Sequence, residues 1–334
     1  MKTMNTLLAT ALVLSSVAKA EDSMLPPWLD VSGTISFDKG ASKTGSDWNS
    51  RDLRVQDAEL RFEILAREGV KLVIKAEFER QLNQLIQDED MDAKLSQMLE
   101  EAYIQIETDK FGLPRAVITF GKHQMAFGQR IAELPMFKDS LLYKLNTESE
   151  MIGLTLALPT NFLKIVDEVA ISLYETGAGD FKISDDKAVS IKLSKRLTQQ
   201  VEMQISALMK EHGSADKETR ASIGFVYTTA EGNMRIWAQG LVVDHNPDYA
   251  GRRYGATLGA ARKLGSGVVV IEASVLEDVA KEVAVGYHMP VGSFLVLSPE
   301  VRYVMHESGD NETVAGIKAR LEFGKRKGPG VGPR

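Results

Sequence analysis

The chain has 334 residues, 44% hydrophobic and 26% charged, with a formal net charge of −6 and no cysteine. The missing cysteines exclude disulfides, thiolate metal sites and thiol nucleophiles. The mildly acidic balance argues against nucleic acid as a partner.

The first segment carries Lys2, an apolar run from Leu7 to Val17, and Ala18-Lys19-Ala20 before Glu21. That run is too short to cross a bilayer as a helix and reads as a cleaved secretory signal over 1–20. No cysteine follows the cleavage point, which excludes a lipid anchor there. No later run is long enough for a transmembrane helix. Residues 21–323 are therefore either a soluble β protein or a β-barrel.

Alternation with period two dominates those residues. Leu72, Ile74, Ala76 and Phe78 share one face, and Lys71, Lys75, Glu77 and Glu79 the other. Ala58–Ile64 and Ile317–Phe323 alternate in the same way. Candidate strands fall at 28–37, 55–66, 69–80, 101–108, 115–122, 151–158, 166–175 and 187–196. Further ones follow at 199–209, 219–228, 233–243, 251–262, 266–276, 281–289, 293–304 and 313–323. That is about sixteen strands, most of them long enough to cross a bilayer when tilted. Short connections at 67–69, 197–199 and 229–232 contrast with long ones at 38–54, 81–100, 123–150 and 176–186. The expected fold is an all-β, transmembrane antiparallel β-barrel with short periplasmic turns and long outer loops. Asp92–Glu101 and Ile131–Leu142 read as short helices within two of those loops, the second broken by Pro135. The tail 324–334, rich in Gly, Pro and basic residues, reads as disordered.

Chemistry-bearing motifs are few. Asp88-Glu89-Asp90-Met91-Asp92 opens like a calcium loop, but Ala93 and Leu99 stand where Gly and Glu are needed, so it reads as a solvated acidic loop. His123, His212, His245, His288 and His306 show no metal-ligand spacing, and no nucleophile elbow is present. No catalytic constellation, metal site or cofactor is expected.

In a barrel, the charged residues opposite the apolar faces must point into the lumen, because charge on the lipid face costs about 2–4 kcal/mol at the midplane. These are Arg61, Lys71, Lys75, Lys192, Arg235, Arg253, Lys318 and Arg320, with Glu59, Glu63, Glu77, Glu79, Glu168 and Glu202. The mixture suits a solvated polar wall as well as a substrate track. The loop 123–150 carries Lys122, His123, Arg130, Lys138 and Lys144 against Glu133, Asp139, Glu148 and Glu150. Folded inward, it would set charge in a narrowed zone; folded outward, the same charges are ordinary loop surface. Its length and its Met125, Phe127, Ile131, Leu134, Met136 and Phe137 favour inward folding.

Gly121-Lys122-His123-Gln124-Met125-Ala126-Phe127-Gly128 resembles a signature of outer-membrane porins related to the phosphate-selective and siderophore-uptake types. The strands at Glu101–Ile106 and Met151–Leu154 fit the same pattern. Ala126 stands where that family has Pro before the Phe, and the chain ends on Arg334 rather than an aromatic residue. The resemblance implies passive diffusion of small hydrophilic solutes or ions through a water-filled lumen in the outer membrane. It also implies contact with outer-membrane lipid and assembly commonly as a homotrimer. A closed structural or adhesive barrel without channel activity is the alternative.

Overall fold

Polar and apolar residues alternate along almost every strand of the computed structural model. It describes residues 26–44, 47–86, 98–128, 141–142, 145, 150–160, 166–176, 186–212, 216–246, 251–292 and 294–324. The first eight strands are β1 Leu29–Thr44, β2 Asp47–Arg67, β3 Val70–Glu77, β4 Leu99–Glu107, β5 Val117–Gln124, β6 Glu150–Pro159, β7 Glu168–Thr176 and β8 Asp186–Arg196. The second eight are β9 Val201–His212, β10 Asp216–Thr228, β11 Met234–Asp244, β12 Arg253–Leu264, β13 Gly267–Leu276, β14 Ala280–Val291, β15 Leu295–His306 and β16 Glu312–Phe323. One helix, α1 (Glu79–Ile86), follows β3.

Each strand pairs antiparallel with its sequence neighbours, and β1 pairs with β16 from Gly33↔Phe323 to Thr44↔Glu312. The result is a closed barrel of sixteen strands, which leaves no sheet edge along the wall.

The two faces are inverted relative to a soluble protein. Phe120 is 61% exposed and Leu258 59%, whereas Ser172 on the opposite face is 0% exposed. Ile104, Leu154, Ile171, Leu173, Ile205, Ile223, Ile271, Val285 and Val301 join the outward apolar surface. No helix among the described residues is long and apolar enough to cross a membrane. An outward apolar belt on a closed barrel is the form a β protein takes when lipid is its outer solvent.

Three expectations need correction. Residues 38–54 are not a long loop: β1 runs to Thr44 and β2 starts at Asp47, forming an extended hairpin. Its first strand is held by β16 as far as Glu312. The stretch is polar on both faces, so apolar periodicity could not reveal it. β3 ends at Glu77, and Glu79 opens α1 instead of continuing the strand. The Asn83 side chain there takes both backbone groups of Val55 on β2, accepting from its N–H at 2.8 Å and donating to its carbonyl at 2.8 Å. One amide thus satisfies backbone groups of β2 beyond the end of β3. The helix expected at 92–101 is partly replaced by β4, which begins at Leu99; residues 87–97, with the acidic run, lie outside the described residues. So do most of the helix expected at 131–142, the segment 1–25 and the tail 325–334.

Candidate pore and its inward loop

The inner wall begins from strand parity. Alternation turns Arg61, Lys71, Lys75, Glu77, Lys192, Arg235, Lys318 and Arg320 away from the apolar outer face. Arg61 lies directly opposite Lys75 in the β2–β3 register, a like-charge pair that is destabilising by itself. Acids resolve it. Arg61 pairs with Glu63 at 2.9 Å and Glu101 at 2.7 Å, and donates to the Tyr103 hydroxyl at 3.1 Å. Lys75 pairs with Glu59 at 3.0 Å and Glu100 at 2.5 Å, and Lys71 with Glu63 at 3.2 Å. Glu59, Glu77 and Glu100 hold carboxylate oxygens within 4.8 Å of one another, but the Lys75 ammonium already bridges two of them.

The seam between chain ends is closed in the same way. Lys318 of β16 pairs with Asp57 of β2 at 2.7 Å across β1, and Ser36 of β1 donates to the same carboxylate oxygen at 2.8 Å. Arg320 pairs with Glu322 at 3.0 Å. Arg220 pairs with Glu218 at 2.6 Å on β10, and Arg302 approaches Glu300 at 3.4 Å on β15, beside the seam.

The segment after β5 is directed inward from its first residues. Gly121 takes a φ of 123°, accessible to glycine but not to a side chain, and a Cβ there would lie 2.4 Å from the Ala102 carbonyl oxygen. His123 is pinned on both nitrogens: Nδ1 lies 2.9 Å from the Gly121 carbonyl, and Nε2 lies 2.8 Å from Thr155 Oγ1 and 3.0 Å from the Tyr174 hydroxyl. The chain then meets the middle of β8 and β9. Ser190 Oγ donates to the Ala126 carbonyl at 3.1 Å, and Gly128 N–H donates to Ser206 Oγ at 3.0 Å.

The returning part touches β14 and β10. Leu141 N–H donates to Glu282 of β14 at 3.3 Å, and Arg220 of β10 donates to the Leu145 carbonyl at 3.1 Å. Met125, Phe127, Leu142 and Leu145 are buried against inward residues of the wall, including Leu208, Leu241 and Leu276. The described residues of this segment therefore lie inside the barrel, held by apolar burial and by hydrogen bonds to β8, β9, β10 and β14. Beneath its stem, a cavity of about 360 Å³ is lined by Arg61, Glu101, Tyr103, His123, Gln124 and Lys192 among others.

Of the residues expected in the constriction, His123 anchors the stem. Lys122 alternates onto the side of Phe120, its Nζ donating to the Leu99 carbonyl at 2.7 Å. Arg130, Glu133, Lys138, Asp139 and Lys144 lie outside the described residues. Sequence reasoning missed the anchors on the wall. Ser172 and Ser190 are direct register partners, as are Ser206 and Ser222. All four are buried inward, but only Ser190 and Ser206 meet the segment; Ser172 pairs with Thr155 at 2.9 Å and Ser222 accepts from Gln239 at 3.0 Å. A serine at successive inward positions is the only trace of this in the sequence.

Sixteen antiparallel strands in sequence order, an apolar outer belt and a segment packed inside after β5 define a barrel of the porin fold. No protein-family model and no curated protein sequence matches the chain. Among solved structures it is similar to Pseudomonas putida OprB at high pH, with a TM-score of 0.61, 12% identity, and coverage of 88% of this chain and 94% of that one. It is also similar to the anion-selective porin from Comamonas acidovorans, with a TM-score of 0.59, 11% identity, and coverage of 88% and 99%. Salmonella typhi OmpF in complex with daunomycin gives a TM-score of 0.58, 12% identity, and coverage of 88% and 97%. Likeness at this identity establishes the fold.

Proposed function

We propose that the protein is an outer-membrane porin, a passive channel for small hydrophilic solutes or ions, narrowed by the loop 123–150. The observation that carries this is the reach of that loop. It leaves β5, binds the middle of β8 and β9 through Ser190 and Ser206, and touches β14 through Glu282. A segment stretched across the inside of a barrel this wide constricts the path without sealing the wall.

Permeation follows from the geometry. A hydrated solute entering the lumen meets polar side chains, several of whose charges, such as Arg61, Lys75 and Lys318, are paired within the wall. Where the loop narrows the path, less water remains to screen charge, and each cation or anion there acts more strongly on a passing ion. His123, Arg130, Glu133, Lys138, Asp139 and Lys144 are proposed to bias which solutes pass, with Arg61 and Lys192 facing the same space. The likeness of Gly121–Gly128 to the phosphate-selective and siderophore-uptake porins supports the location of the filter.

Export by a signal at 1–20, an outer-membrane location and assembly as a homotrimer belong to the same proposal, supported by the outward apolar belt and the porin-fold neighbours. Planar-bilayer recording of the purified protein tests it. Discrete conductance steps are expected. A silent bilayer would instead favour a closed structural or adhesive barrel.

A further inference from the structure

In the cavity beneath the loop stem, the charged groups are engaged and the uncharged ones are not. Its volume of about 360 Å³ lies at the low end of the ~300–1,000 Å³ typical of ligand sites. Arg61, Glu101 and Lys192 are the charged residues among its lining. Arg61 holds Glu101 at 2.7 Å and Glu63 at 2.9 Å, and Lys192 has its own contact. On the adjoining wall, Lys71 and Lys75 stand among Glu59, Glu63, Glu77 and Glu100, each of which is also engaged. Cations are outnumbered by acids there, and no surplus positive charge awaits an anion.

The uncharged lining differs. Gln105 and Thr119 are register partners on β4 and β5, and Gln124 ends β5. All three line the cavity and are partly exposed. No described residue hydrogen-bonds their side-chain amides or hydroxyl. Tyr103 accepts from Arg61 at 3.1 Å, which leaves its own O–H to donate. A side-chain amide has two donors and an acceptor, and a hydroxyl has one donor and accepts as well. These groups face one space, beside the apolar Met125 and Phe127 of the loop.

We infer that the cavity binds a neutral, polyhydroxylated solute, a sugar unit, on its way through the channel. Sugar hydroxyls donate and accept in the way Gln105, Thr119, Gln124 and Tyr103 require, and the C–H face suits the apolar loop. An ion would shed water against charges that already have partners, a cost that nothing in the cavity offsets. The inference names the solute for the channel proposed above and rests on that reading.

Saturation-transfer NMR tests it on the purified full-length protein, in a detergent without a sugar headgroup, with glucose as probe. Glucose should receive saturation from the protein, and excess inorganic phosphate should leave that signal unchanged. Gln105→Leu with Gln124→Leu removes both amides and should weaken glucose binding about tenfold, equivalent to ~1.4 kcal/mol. Should that variant fail to fold, Tyr103→Phe decides, because it keeps the ring and loses the donor; weaker binding is again expected. No signal from wild type, or equal binding by the variants, overturns the inference. Displacement of glucose by phosphate also overturns it and assigns the cavity to an anion. Conductance recorded on the same wild-type sample separates the two readings. Glucose bound to a silent barrel defeats the channel and leaves the site, whereas conductance without glucose binding defeats the site alone.

Discussion

Gly128 donates its backbone N–H to the hydroxyl of Ser206, 78 residues further along the chain, at 3.0 Å. Gly128 is buried, so this amide has no water to fall back on. Ser206→Ala leaves it unsatisfied, at an expected cost of about 1–3 kcal/mol. The loss should fall on the loop rather than the wall, because the β8–β9 and β9–β10 ladders do not use that hydroxyl. Hydrogen exchange should show faster exchange at residues 126–128 with strand protection unchanged. Unchanged exchange there would mean that apolar packing alone holds the loop.

Lys318 and Asp57 close the seam between the two ends of the chain, and both are almost wholly buried. Removing one partner of such a pair strands a charge, at about 3–5 kcal/mol, while replacing both with apolar groups is often near neutral. Lys318→Met should therefore lower the urea midpoint of the folded barrel markedly, and Lys318→Met with Asp57→Leu should recover most of the loss. Additive losses in the double variant would contradict the pairing.

Asn83 serves the Val55 backbone through both atoms of its amide. Asn83→Asp keeps the acceptor and removes the donor, leaving the Val55 carbonyl unpaired at a cost of about 1–3 kcal/mol. Limited proteolysis should cut near α1 faster in this variant than in wild type, with the barrel itself intact.

Trp237 lies flat on Gly259, where an added Cβ would come within 2.2 Å of its ring. Its Nε1 donates to Glu272 at 3.2 Å. Gly259→Val must push the indole off the wall and break that bond, at roughly 1–3 kcal/mol for overpacking. The near-ultraviolet circular dichroism and emission maximum of the protein should both change. Wild-type spectra would show that the indole has room to move.

The turn between β6 and β7 carries a pH-dependent contact outside the barrel wall. Lys195 pairs with Asp167 at 2.9 Å, and the Arg196 N–H donates to its other oxygen at 2.7 Å. Together they hold the Asp167 carboxyl below the usual range. A carboxylate depressed in the folded state contributes its stabilisation above the ordinary aspartate value of about 3.9, and loses it as the pH falls through the depressed value. Exchange of the Arg196 amide should accelerate only in that acid window, and Asp167→Asn should remove the pH dependence.

How much of this was legible in sequence depended on whether a stretch faced lipid. Leu72, Ile74 and Ala76 alternate against Lys71 and Lys75, and β3 lies there. The extended hairpin at Thr44 and Asp47 stands where both faces are polar, so no apolar period announced it. Phe78 prolonged the β3 pattern into α1, and only the Asn83–Val55 contact shows where the strand ends. The barrel's ion pairs were readable as inward charges but not as partners, because register joins Lys318 to Asp57 from opposite ends of the chain. The loop's anchors were invisible, since a serine looks the same whether it meets water or a backbone amide.

The central claim is that the loop from β5 stands in a conducting path. The chain has no cysteine, so a single introduced thiol is unambiguous. Gln124 lines the cavity beneath the loop stem. In planar bilayers, Gln124→Cys should give discrete conductance steps that drop when a charged, membrane-impermeant methanethiosulfonate is added, while wild-type steps stay unchanged. Steps that persist at full size after complete labelling, or no steps from either protein, would contradict the account.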